Sequence, residues 1–128
     1  MYGFSKTVSG SFDEVIEKVT AALQEQGFGV LTEINVKAVM KKKLDLDRPA
    51  YTILGACNPN FANQALNADP DIGLLLPCNV VVREEDDGTI TVAFMDPAAV
   101  LGLVDMEGVT ELGMQVRGLL EKARDALN

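Results

Sequence analysis

Apolar and polar residues alternate from Tyr2 to Val8, with Tyr2, Phe4, Lys6 and Val8 on one side and Gly3, Ser5 and Thr7 on the other. The two-residue period predicts a strand, although Lys6 interrupts its apolar side. The period then changes. Phe12, Val15, Ile16, Val19 and Leu23 recur at helical spacing, the apolar stripe of a helix. Ser11 and Glu14 frame its start as a capping box: the hydroxyl accepts from an orphan amide and the carboxylate reaches back to the cap. Gly27 stands where this helix should stop, because a left-handed residue closes a last helical turn. Phe28 to Ile34 predicts a second strand. Asn35 caps a short helix with Val36, Val39, Met40 and Leu44 on its apolar side, and Pro49 bounds it. Ala50 to Gly55 predicts a third strand.

Asn58-Pro59 reads as a sharp helix start. Asn caps with its side-chain oxygen, and Pro is tolerated at the first helical position, where the amide has no partner in any case. Phe61, Ala62, Ala65 and Leu66 form the buried stripe, closed by Asn67 and Pro70. Asp96-Pro97 repeats the device before Ala98 to Leu103. Leu112, Val116, Leu119, Leu120, Ala123 and Leu127 give a final helix, which Gly113 and Gly118 weaken by about 1 kcal/mol each relative to Ala.

Between these helices lies a hairpin, Cys78 to Glu85 and Thr89 to Met95, joined by Asp86-Asp87-Gly88. A three-residue loop with Gly88 left-handed pairs Val82 with Val92 and Val80 with Phe94. Val80, Val82, Ile90, Val92 and Phe94 then share one face, whereas a slip of one residue would bury the wrong set. In this register Cys78 points to the core side and Asn79 away from it, with Val81 and Arg83. The order β-α-β-(α)-β-α-β-β-α-α predicts a single α+β domain over residues 1–128, with a mainly antiparallel sheet and helices packed on one face.

Composition narrows the chemistry. In 128 residues, 48% hydrophobic, there is material for one core. No apolar run approaches the roughly 18 residues of a membrane span, and the first residues lack the apolar stretch of a signal peptide. A cytoplasmic location is expected, with no membrane partner and with thiols rather than a structural disulfide. The net charge of −8 argues against nucleic acid as a partner. The one local exception, Lys37, Lys41, Lys42, Lys43 and Arg48, reads first as a solvated helix face and second as an anion-binding patch. With no histidine in the chain, triads, Cys-His pairs and imidazole zinc sites are excluded. Neither the dinucleotide glycine fingerprint nor the phosphate loop occurs, and no cofactor is expected.

The only two cysteines sit in matching settings, Gly55-Ala56-Cys57-Asn58-Pro59 and Leu76-Pro77-Cys78-Asn79. Cys57 precedes a predicted helix start, whose amides and dipole favour a thiolate or a bound anion. Cysteine is equally a small buried hydrophobe. Asn79 is a poor strand former, so its amide is free for a loop or a ligand. Two thiols without histidine leave a tetrahedral metal site half empty, so no metal is expected. Three readings follow. In the first, Cys57, Asn58, Pro59, Pro77, Cys78 and Asn79 line the pocket of a non-catalytic small-ligand-binding or interaction domain. In the second, Cys57 is the nucleophile and Cys78 the resolving thiol of a redox protein or enzyme. In the third, both motifs only determine the fold.

These motifs, with Ile72-Gly73-Leu74-Leu75-Leu76 before the second, Asp87-Gly88, Asp96-Pro97, and Thr32-Glu33-Ile34, Lys43-Leu44 and Pro49-Ala50-Tyr51 upstream, resemble the domain-of-unknown-function 302 family over nearly the whole chain. The resemblance implies a small α+β fold of its own type, frequent dimerisation, and no assigned activity or catalytic residues. A homodimer is the expected assembly, which the apolar content also suits.

Overall fold

The first alternation becomes strand β1 (Gly3–Val8) and the helical stripe after it becomes α1 (Phe12–Glu25) in a computed structural model describing residues 2–128. The capping box is present: Glu14 N donates to Ser11 Oγ at 3.2 Å, and Ser11 N to Glu14 Oε1 at 3.4 Å. Then follow β2 (Gly29–Asn35), α2 (Val36–Leu44), β3 (Tyr51–Cys57), α3 (Pro59–Ala68), a 3-10 helix (Pro70–Leu75), β4 (Cys78–Glu84), β5 (Ile90–Met95), α4 (Pro97–Leu101) and α5 (Glu107–Asp125). The element order is the one read from the sequence, with the 3-10 helix added. β3 runs on through Ala56 and Cys57, beyond the predicted end at Gly55, because both residues find partners on β2 and, for Ala56, on β4.

The sheet has the order β1-β5-β4-β3-β2, and every neighbouring pair is antiparallel. β2 to β5 form a meander, and β1 closes it from the far side. α1 must therefore carry the chain from one edge to the other. Four inter-strand spacings of about 4.8 Å make about 19 Å, and a 14-residue helix is about 21 Å long. β1 and β2 run parallel, so α1 also returns the chain along the strands, on a diagonal that the turns at its two ends complete.

Val15, Val19 and Leu23 of α1 and Val116, Leu120 and Ala123 of α5 pack on Leu54, Val80, Val82, Val92 and Phe94, all on one face of the sheet. The register is the predicted one, with Val82 opposite Val92 and Val80 opposite Phe94. Gly88 has φ 87°, as the three-residue loop requires. A second, smaller cluster of Ala65, Ile72, Leu101, Val109 and Leu112 lies under α3, the 3-10 helix and α4. No residue of α2 is buried. Its predicted apolar side is at most half-covered, while its lysines project outward and Lys41 pairs with Asp45 at 2.8 Å.

Lys6, the odd residue on the inner side of β1, is half-buried and donates to the carbonyl of Leu127 just past α5, where the negative helix end favours a cation. Asp96 is 6% exposed. It caps α4 by accepting from Ala98 N at 2.9 Å and pairs with Arg117 of α5 at 2.8 Å. Arg117 and Arg124 stand over the ring of Phe4 at 5.8 and 5.1 Å, and that ring stacks on Phe94.

The two helix glycines differ. A Cβ on Gly113 would lie 2.8 Å from the carbonyl oxygen of Pro97, so its absence lets α4 approach α5; a Cβ on Gly118 would meet nothing within 4 Å. Gly118→Ala should raise stability by about 0.5–1 kcal/mol. Gly113→Ala should lower it by about 1–3 kcal/mol despite the same propensity gain. Urea denaturation of both variants checks the opposite signs.

Candidate functional site

The two Cys-Asn motifs are neighbours on paired strands. Gly55 lies opposite Asn79, and Ala56 opposite Cys78. Ala56 and Cys78 face the helices and are buried; Asn79 faces the other side of the sheet and is exposed. Gly55 has no room for a side chain, because a Cβ there would collide with the Thr32 hydroxyl and come within 2.9 Å of Pro77 Cγ. The Leu76–Pro77 peptide is cis.

Asn58 does not do what its position predicts. Its side chain makes no cap bond to α3. The amide instead reaches the carbonyl of Gln26 at 3.5 Å, at the C-terminal end of α1. Carbonyls at a helix end lack intrahelical donors, whereas the first amides of α3 lie beside the exposed Pro59 and Asn60. The amide nitrogen also stands 2.9 Å from where a Cβ on Gly27 would lie. Asn58 thus fastens the end of α1 to the start of α3.

Cys57, Asn58, Pro77 and Cys78 line one cavity of about 30 Å³, together with Phe28, Phe61, Leu76, Leu101, Leu112 and Val116 among others. Pro59 and Asn79 are not in its wall. The cavity sits on the seam between the two clusters: Phe28 and Val116 belong to the main core, Leu101 and Leu112 to the smaller one, and Phe61 packs against both. The apolar lining residues escaped notice in the sequence because their spacing marks them as core, and nothing local separates a cavity wall from a packed interior.

Both cysteines are free, Cys57 half-buried and Cys78 7% exposed. Burial pushes the Cys78 thiol up from its ordinary 9.0 to about 11, and the nearby Cys57 adds to the rise. At neutral pH Cys78 is a neutral, weakly polar wall group. Among the described residues no three Cys, Asp or Glu side chains cluster as a metal centre, and no helix is long and apolar enough to cross a membrane. The acidic hairpin tip is turn architecture. Asp87 accepts from the hydroxyl and the amide of Thr89 at 2.6 and 3.0 Å, and these bonds hold its carboxyl below the usual range.

A five-stranded antiparallel sheet, covered by helices on one face and with two cysteines at a seam in the core, defines a small α+β domain. The chain belongs to the family described as "Domain of unknown function DUF302", which it matches over residues 4–127. Its fold is that of a solved relative, the "uncharacterized conserved protein DUF302 from Bacillus stearothermophilus". The TM-score is 0.92 at 29% identity, over 100% of this chain and 99% of that one. An "Uncharacterized protein" of Aquifex aeolicus (strain VF5) is 29% identical over 49 residues, covering 38% of this chain and 34% of the relative's length.

Two outcomes follow. A thiol ionises by losing its proton, so the unfolded chain deprotonates before the folded one as pH rises. Cys78 should leave stability untouched below pH 9 and remove up to about 3 kcal/mol between pH 9 and 11. Denaturation across that range should show the loss in the native chain and a flatter profile in Cys78→Ala. Separately, Gly55→Ala should cost about 1–3 kcal/mol by overpacking. Adding Thr32→Ala should recover part of it, a coupling that a double-mutant cycle measures.

Proposed function

We propose that this chain is a non-catalytic, cytoplasmic binding domain that works as a homodimer and takes a small apolar ligand at the seam beside its two Cys-Asn motifs. The observation that carries this reading is the cavity that both motifs enter. Its walls are almost wholly apolar, and it lies where two separately packed clusters meet. Opening on the side of α3 and the 3-10 helix would leave the main core over the sheet packed. At about 30 Å³ the closed cavity holds no more than a water-sized guest. Pockets for organic ligands run to about 300–1,000 Å³, so binding requires α3 and the 3-10 helix to lift from the ends of β3 and β4. The neutral Cys78 thiol suits a wall group and speaks against a resolving thiolate.

A second reading is favoured by Asn58 on Gly27 and by Thr32 and Pro77 over Gly55: the motifs are fold determinants alone. Titration with straight-chain 1-alkanols of six to ten carbons, an uncharged and mainly apolar series, separates the two. The binding reading expects saturable NMR shifts in the Leu76, Leu101, Leu112 and Val116 methyls and a raised melting temperature. Both effects should be lost in Ala62→Phe, which plugs the cavity. Methyl signals that stay put throughout the series would leave only the fold-determinant reading.

A further inference from the structure

We propose that this chain binds a small aliphatic diamine in a second cleft, between the first turns of α1 and the helix-side edge of β2 and β3. The cleft has a volume of about 470 Å³, within the range of organic-ligand pockets. It shares no lining residue with the seam cavity and lies at the other end of β3, so it stands apart from the reading above.

Strand register builds one wall. Thr52 lies opposite Val82 and Asn35, and Glu33 lies opposite Leu54. Parity therefore turns Glu33 and Thr52 to the side of the helices, with the buried Val82 and Leu54. α1 builds the other wall. Phe12 and Ile16, half-buried against the main core, give it an apolar surface. Asp13 and Glu17 follow them on the same helix face, one turn apart and exposed.

Charge makes the ligand a cation. Among the described residues Asp13, Glu17 and Glu33 take part in no ion pair. Like charges at the Asp13–Glu17 spacing repel. Asp13, in the first turn, answers the positive end of α1; Glu17 and Glu33, on opposite walls, have no such role. Nearby lysines are engaged elsewhere: Lys18 donates to the carbonyl of Ser9 at 3.0 Å, and Lys41 pairs with Asp45 at 2.8 Å. Lys37 is the one cation in the wall.

Thr52 is an independent sign of a ligand. It is 5% exposed, yet its hydroxyl makes no hydrogen bond, unlike those of Thr20, Thr89 and Thr110. Among the described residues no fully enclosed polar side-chain atom lacks a partner. This hydroxyl therefore reaches open space, and the cleft is the space it lines. A hydroxyl oxygen accepts from an ammonium group. The carboxylates are too dispersed for one metal ion. An extended cation meets both walls, one ammonium at Glu17 and the other at Glu33 and Thr52, with its methylenes over Phe12 and Ile16.

Titration of the native chain with 1,4-diaminobutane should move the Ile16 and Thr52 methyl signals saturably. Butylamine and 4-aminobutanoate, at matched ionic strength, should bind about tenfold more weakly, since each lacks one charge-assisted contact. Glu17→Gln and Glu33→Gln should each cost about tenfold in affinity. Thr52→Val should weaken binding less, and Lys37→Gln should tighten it by removing a like charge. Shifts that fail to saturate, or that magnesium chloride reproduces, would mark a diffuse counter-ion atmosphere and overturn the proposal. Butylamine binding as tightly as the diamine, or a folded Glu33→Gln variant binding it unchanged, would overturn it as well. The amine comparison uses the native chain alone and stands whatever the variants do.

Discussion

The fold depends on one span. β1 and β2 occupy opposite edges of the sheet, and the chain between them has to cross its full width along one face. α1 does so in a single helix, and its apolar stripe becomes the roof over the central strands. Because β1 and β2 run parallel, the same helix also returns the chain from the end of β1 to the start of β2 at the opposite end of the sheet. α5 lies on the same face and joins the same core. The asymmetry between a covered and an uncovered face follows from this arrangement, as antiparallel sheets permit.

The covered face in turn arranges the candidate site. α3, the 3-10 helix, α4 and the first turns of α5 form a smaller cluster around Ile72 and Leu101, and the seam between it and the main core falls where β3 ends and β4 begins. That is where the two cysteines lie. Asn58, whose amide reaches from the start of α3 towards the end of α1, also lines the cavity, so one motif residue belongs to both the fold and the candidate site.

What the sequence made legible was mostly local. The capping box at Ser11, the left-handed Gly88 and the parity of the β4–β5 hairpin each depend on residues a few positions apart, and each is present as read. The reading faltered where a distant partner decided the matter. Asn58 looks like a cap because its neighbours are Pro59 and a helical stripe. Its true partner, Gln26, is far back in the chain. Gly113 looks like a flaw in a helix until Pro97 is seen against it. Arg117 gave no sign that it pairs with Asp96, and Lys6 gave none that it serves the end of α5. α2 carries a helical apolar pattern that finds no core to join, because the pattern records what could be buried and the topology decides what is.

The margins of the sheet have a consequence for the life of the protein in a crowded solution. An outermost strand offers unpaired amides and carbonyls to any passing chain. β1 turns a lysine inward at Lys6, and β2 is broken by a bulge between Val30 and Thr32. Both devices spoil the regular template that an added strand needs. Margins of this kind discourage the strand-by-strand growth on which fibrils depend.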